Sequence, residues 1–377
     1  IITASHNPGN WNGFKVKDAS GASAPTEMVS RIEKLTNEIL QSCNVQRLPL
    51  ASARAQGLVR LLDPAPAYFT HIAKLVDLDF IRGQKLKAIA DSMYGAGSGY
   101  FKSILGGGQI QLNEIHGERN PIFPGLRPEP IARNLGELCR LVNEREASVG
   151  LATDGDADRI GIVSEMGEFI NQLEVFSLLA LYFIEIRGER RPIVRTLTSS
   201  NMLDILGRKY GLPVHVSKVG FKYVAPLMQS TGAFMGGEES GGYGFSGHVP
   251  ERDGILAGLY FLDFMARTGK KPSQLLQHLF EIVGPHYYNR YDLQIAAEQQ
   301  KTTLQKIEGQ SVPSLLGVKV DRVDKTDGYK YLLQDDSWLL LRFSGTEPLI
   351  RIYAEAGSKE RVTALLEAGK KMLGALT

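Results

Sequence analysis

Cysteine, tryptophan and surplus charge are all scarce in this chain. Only Cys43 and Cys139 appear among 377 residues. Two thiols cannot build a disulfide framework, and they are not spaced as metal ligands, so a reducing, cytoplasmic setting is expected. Lys and Arg number 43 against 41 acidic residues, with no long basic run. Composition therefore gives nucleic-acid binding no support. No apolar run approaches the roughly 18 residues of a membrane span. The longest, VFSLLALYFIEI, is bounded by Glu174 and Arg187 and reads as a buried helix. No signal peptide is visible ahead of Ile1, and any leader would have to lie upstream of it.

What is present reads as an ordinary soluble globular chain, 43% hydrophobic and 22% charged. Its length suits two to four domains at roughly 100–200 residues each. Strand and helix patterns alternate, which argues for an α/β protein. In TEMVSRIEKLTNEIL, Val29, Ile32, Leu35 and Ile39 share one helical face. An irregular stretch up to DPAPAY marks a boundary. KLKAIADSMYGAGSGYFKSIL predicts strand, Gly-rich turn and helix. SVGLATDGDADRIGIVSEMGEFI predicts a strand, an acidic loop and a second strand. After VGPHYYNR short strands dominate and a final helix packs on them. The predicted units are 1–60, 61–168, 169–284 and 285–377. The last is a smaller α+β domain; the others are α/β domains with mixed sheets. The short leading unit is marginal as a domain. Part of it is expected to be absent from the sequence, with Ile1–Ile2 an interior strand.

Four loops carry chemistry. In the first, Asp154, Asp156 and Asp158 alternate, with Arg159 next. Carboxylates so close repel one another, and a hard divalent cation offsets that best. An EF-hand reading places Arg159 where the sharp turn wants Gly, between strand-like flanks. An aspartyl-phosphate phosphatase loop, with Asp154 as nucleophile, would normally start the chain's first strand. The second loop is TASHNP…NGFK, with Ser5, His6 and Lys15. The third, GGEESGG, offers Glu238 and Ser240 on a backbone that can approach a ligand closely, and suits sugar hydroxyls. The fourth, RFSGTEP, combines Arg342, Ser344, Gly345 and Thr346 into a phosphate cradle. GAGSGY at 95–100 lacks the third Gly of a dinucleotide fingerprint and reads as a strand-to-helix turn.

Taken in chain order, the four loops resemble the α-D-phosphohexomutase family, the phosphoglucomutases and phosphomannomutases, over nearly the whole chain. The resemblance implies four domains around a central cleft, each supplying one loop. It implies a phosphate on Ser5, and one Mg²⁺ held by that phosphate with Asp154, Asp156 and Asp158. Arg159 would neutralise charge on the phosphoryl group. Lys15 is the stronger candidate base, with His6 shaping the pocket. Glu238 and Ser240 would touch the ring hydroxyls, and Lys218 or Lys222 a phosphate or ring oxygen. Arg342, Ser344, Gly345 and Thr346 would grip the idle phosphate, supported by Arg351. The implied reaction interconverts hexose 1-phosphate and hexose 6-phosphate through a 1,6-bisphosphate, in a monomer or homodimer.

Glucose phosphates are expected first and mannose phosphates, or dual use, next. Mannose-leaning and dual relatives often have His where this chain has Gly242, and glucosamine-phosphate members Gln where it has Glu239. Because the front of the first domain is expected to be missing, weak or no turnover is expected. A catalytically impaired sugar-phosphate binder is the remaining alternative.

Overall fold

A computed structural model describes residues 1–295, 297–344 and 349–374. The leading segment is a loop tied by single bridges, Ile2 to Phe14 and Lys17 to Ser23. Helices α1 (Thr26–Ser42) and α2 (Leu50–Ala55) follow it. The stripe expected on α1 is poorly covered. Val29 and Ile32 are half-buried, whereas Leu35 and Ile39 are 50% and 49% exposed. A helical repeat decides which side chains share a face, not whether another element lies on it.

The second unit runs α3 (Ala65–Leu75), α4 (Leu78–Arg82), β1 (Lys87–Asp91), α5 (Tyr100–Leu105), β2 (Gln111–Ile115), α6 (Gly136–Glu144), β3 (Val149–Thr153), β4 (Ile160–Ser164) and β5 (Phe169–Ile170). Its sheet order is β2-β1-β3-β4-β5. β1 is parallel to β2 and β3, and β4 and β5 then turn antiparallel. β3 and β4 are buried at every residue. The acidic loop is the hairpin between them, so its backbone hangs on two fully buried strands.

The third unit runs α7 (Gln172–Glu185), β6 (Ile193–Thr196), α8 (Met202–Tyr210), β7 (Val214–Ser217), α9 (Phe221–Thr231), β8 (Met235–Gly237), β9 (Tyr243–Phe245), α10 (Gly254–Thr268) and α11 (Pro272–Val283), with sheet order β7-β6-β8-β9. A capping box of Asn171 and Glu174 starts α7, and Val175 through Ile184 are all buried. That burial on every side is why the longest apolar run is a helix of the core. One hydrophobic core runs through both units, joining Ile72, Leu151 and Ile162 to Phe176, Leu206 and Phe261. No helix among the described residues is long and apolar enough to cross a membrane.

The fourth unit runs β10 (Tyr287–Gln294), α12 (Ala297–Gly309), β11 (Ser314–Leu315), β12 (Val318–Asp324), β13 (Tyr329–Leu333), β14 (Trp338–Phe343), β15 (Leu349–Ala356) and α13 (Lys359–Met372). Its sheet order is β10-β15-β14-β13-β12-β11. It has its own core, with Leu339, Leu341, Ile352 and Leu365 at the centre.

Polar groups fill the joint between the third and fourth units. Lys330 is buried on β13 and donates to the Leu197 and Ser199 carbonyls at 2.9 and 3.3 Å. Its Nζ lies 3.8 Å over the Trp338 ring. Burial, with Arg195 nearby, pushes its pKa well below the ordinary range. Glu355 accepts the Asn201 N–H at 3.0 Å and lies 2.9 Å from His286 Nδ1. Burial works against the His286 imidazolium, yet Glu355 raises its pKa above 6.5. The raised folded value means His286 stabilises the fold fully below its unfolded pKa. That contribution fades as pH rises through the folded pKa. His286→Gln should therefore flatten this part of the pH–stability curve, read by urea unfolding at a series of pH values.

Candidate active site

The Ser5 loop is stitched at its base. Thr3 N–H donates to the Gly13 carbonyl at 3.0 Å, and Lys15 N–H to the Ile1 carbonyl at 2.8 Å. These bonds bring Lys15 back beside Ser5. Ser5 itself has φ 57°, a left-handed conformation that non-glycine residues avoid. Its N–H donates to Thr3 Oγ1 at 2.9 Å, which helps to hold that conformation. Ser5 Oγ lies 3.2 Å from Asp154 Oδ2 and 3.2 Å from His6 Nδ1.

The acidic loop meets it. Asp154, Asp156 and Asp158 each offer one carboxylate oxygen, all within 4.8 Å of one another. Asp154 also accepts the Arg159 N–H at 3.1 Å. Thr3 Oγ1 and Lys15 Nζ both donate to Asp156 Oδ2, at 3.1 and 2.9 Å. Lys15 is 3.6 Å from Asp158, and Arg159 Nε is 3.6 Å from Asp154 and 3.8 Å from Asp158. Asp156 Oδ1 and Asp158 Oδ1 are buried and have no hydrogen-bond partner among the described residues. Three convergent oxygen donors with two orphaned oxygens fit a hard divalent cation.

Electrostatics in the loop are uneven. Burial and the Asp158 charge push Asp154 well above the usual carboxylate range. Burial also works against Asp156, but the Lys15 hydrogen bond and charge hold it below that range. His6 is lowered to about 4 by burial and by Arg159, with Glu129 opposing. Its imidazole is therefore neutral near pH 7.

Close backbone approach docks the two loops. A Cβ on Gly155 would stand 2.2 Å from the Ser5 carbonyl oxygen. The GAGSGY turn also braces the acidic loop, because Ala96 N–H donates to the Gly155 carbonyl at 2.9 Å. Gly155→Ala must therefore part Ser5 from the aspartates. A loss of about 100-fold in turnover is expected, because ångström-scale misplacement of reacting groups is that costly. Turnover within a few-fold of wild type would show that the approach is dispensable.

The sugar-loop residues have partners that the spacing did not foretell. Arg252, just before the α10 N-cap Asp253, spans Asp158 at 2.6 Å, Glu238 at 3.1 Å and Glu251 at 3.4 Å. Burial opposes its charge, but Asp158 and Glu238 raise its pKa further. Glu251 in turn pairs with Lys17 and accepts from Ser23 Oγ at 3.1 Å, tying the leading segment down. Ser240 is half-buried, and Lys218 and Lys222 are exposed, with Lys222 Nζ over the Tyr223 ring. Arg342 Nε bonds Asp327 at 3.0 Å, and the same carboxylate oxygen accepts the Val219 N–H at 2.9 Å. Ser344 is buried, its N–H on the Leu349 carbonyl at 2.9 Å. Arg351 lies 3.9 Å from Asp292. Gly345 and Thr346 fall outside the described residues. The sequence reading missed Thr3, Glu129, Arg252 and Asp327. A hint for Arg252 was a lone arginine before a helix-capping aspartate.

Four family profiles match the chain in order. They are the phosphoglucomutase/phosphomannomutase alpha/beta/alpha domains I (1–42), II (66–167) and III (172–283), and the C-terminal domain (296–370). The chain is 33% identical over 99% of its length to a phosphoglucomutase/phosphomannomutase of Thermococcus kodakarensis, spanning 78% of that protein. It is 30% identical over 97% of its length to a probable phosphoglucosamine mutase of Methanopyrus kandleri, spanning 76% of it. The crystal structure of a putative phosphomannomutase from Thermus thermophilus superposes with a TM-score of 0.83 at 35% identity, covering 99% of this chain and 78% of the other. With the serine and aspartate loops brought together and all four domain profiles matched in order, the chain belongs to the phosphoglucomutase/phosphomannomutase family, isomerases that act as phosphohexomutases.

Proposed function

We propose that the protein interconverts hexose 1-phosphate and hexose 6-phosphate, glucose first, through a phosphoryl group carried on Ser5. The observation that carries this reading is the Ser5 hydroxyl, 3.2 Å from both Asp154 and His6 beside the convergent aspartates. Asp154, Asp156 and Asp158, with an oxygen of the Ser5 phosphate, would hold one Mg²⁺, which supplies positive charge against the phosphoryl group in flight.

This chain's own residues do the rest. The Oγ–P bond of phospho-Ser5 breaks as a sugar hydroxyl forms its new O–P bond; the hydroxyl proton passes to a base, and a proton is returned to the departing Ser5 Oγ. Lys15, whose Nζ lies 2.9 Å from Asp156 and 3.6 Å from Asp158, is the candidate base for that hydroxyl. In the return step Ser5 is the acceptor: its Oγ gives up a proton as the O–P bond forms, the departing sugar oxygen takes one back, and the neutral His6 ring, 3.2 Å from Oγ, shapes the pocket. Arg159 and Arg252 offset the charge of the phosphoryl group. Glu238 and Ser240 orient the ring, with Lys218 or Lys222 on a phosphate or ring oxygen. Arg342, Ser344, Gly345, Thr346 and Arg351 hold the phosphate that is not reacting. Between the two steps the 1,6-bisphosphate turns over within the site.

The glucose preference rests on the GEESGG resemblance, in which mannose-leaning and dual relatives often have His where this chain has Gly242. A Cβ there would stand 2.3 Å from Arg252 Cδ, so a side chain at 242 would displace part of the arginine that pairs with Glu238. The unpaired thiols of Cys43 and Cys139 support a reducing, cytoplasmic setting. The test is peptide-mapping mass spectrometry joined to coupled assays with glucose, mannose and glucosamine 1-phosphates. One phosphoryl group on the Ser5 peptide and the highest kcat/KM for glucose 1-phosphate are expected. Unmodified Ser5 and no turnover of any of the three would remove the reading.

A further inference from the structure

The two glutamates of the sugar loop are shared between two arginines from different units. Glu238 pairs with Arg252 of its own unit. Glu239 turns the other way and accepts from Arg290 Nη1 at 3.0 Å. Arg290 lies on β10, so this pair joins the sugar loop to the sheet that carries Arg342 and Arg351.

Register places that bond. Across β14, β15 and β10, Arg342 stands abreast of Arg351, and Arg351 abreast of Asp292. Arg290 is two residues before Asp292 and shares its face. Asp292 lies 2.9 Å from Arg290 Nε and 3.9 Å from Arg351 Nε. One carboxylate thus links the arginine that holds the sugar loop to an arginine of the phosphate-binding face. At the other end of that face, Asp327 holds Arg342 and the Val219 N–H together. Glu239 is only 15% exposed, and its Oε2 has no hydrogen-bond partner among the described residues. A carboxylate so short of solvent depends on its cation.

We propose that Glu239 and Arg290 are positioning residues that set the spacing between the sugar loop and the phosphate-binding face. A hexose phosphate is then gripped at its ring and at its distal phosphate together. This inference rests on the function proposed above. Neither side chain is required to touch the substrate. With the pair broken, each grip still forms, but the two no longer match the length of one phosphosugar.

The test uses the Ser5→Ala protein, in which binding is separated from transfer. Calorimetry compares glucose 1-phosphate with inorganic phosphate, which needs only one of the two grips. Glu239→Gln and Arg290→Met should each weaken glucose 1-phosphate about tenfold, and the double variant about tenfold as well, because coupled partners are not additive. Inorganic phosphate should bind all four proteins alike. Singles within twofold of the parent would overturn the proposal. So would a parallel loss of phosphate binding, or a double variant weakened about 100-fold as independent sites would be. Should Arg290→Met fail to fold, Glu239→Gln carries the same expectation. Wild-type protein whose glucose 1-phosphate binding depends on Glu239 but which never isomerises it would sink the proposed function and leave this pair standing. Isomerisation with Glu239→Gln unaltered does the reverse.

Discussion

Ser5→Ala is expected to abolish hexose-phosphate isomerisation, a loss of about 10⁴-fold or more, as removal of a covalent nucleophile usually gives. Thr3 Oγ1 cannot stand in for it, because that hydroxyl already donates to Asp156 and accepts the Ser5 N–H. The variant should still bind hexose phosphates, since Ser5 contributes neither the sugar loop nor the phosphate cradle. A coupled assay beside a binding isotherm checks both halves. Isomerisation within tenfold of wild type would mean that the phosphoryl group travels by another route, and net phosphate release instead would point to the aspartyl phosphatase alternative.

Loss of the cation site ranks second. Asp154→Asn, or removal of divalent ions with a chelator, should lower turnover by about 10³-fold, since an electrostatic anchor for the phosphoryl group is worth several kcal/mol. Stability should move the other way. Asp154 is fully buried in the hairpin between β3 and β4, and its raised pKa means the folded state prefers the protonated carboxyl. The metal-free protein therefore loses stability as pH rises from the unfolded carboxylate pKa through the raised folded one. Added Mg²⁺ should restore it, and Asp154→Asn should remove the slope without needing the ion. Urea midpoints measured across pH, with and without Mg²⁺, give the answer. A wild-type midpoint indifferent to Mg²⁺ at every pH would exclude the triad as a cation site.

The elements that were legible in advance are those with strong local signals. VFSLLALYFIEI is apolar on every side and became α7. The runs flanking DGDADR became β3 and β4. β10 and α12 were harder to see. β10 mixes Tyr, Asn, Arg and Asp along a partly exposed edge strand, so no clean alternation shows. The α1 stripe was read correctly as a face, yet no α1 residue is fully buried. Glu239 and Glu238 are adjacent in the chain, and no local pattern says that they part toward different arginines.

By itself, the sequence determined the chemistry available: a serine loop, three alternating aspartates, a glutamate loop and an arginine turn. Residue type decides what a group can donate, accept or ligate, whatever surrounds it. Tertiary structure alone decided the partners. Lys15 meets Asp156 from 141 residues away and Arg290 meets Glu239 from 51. Such pairs depend on the path of the backbone, which packing of the buried strands and helices lays down.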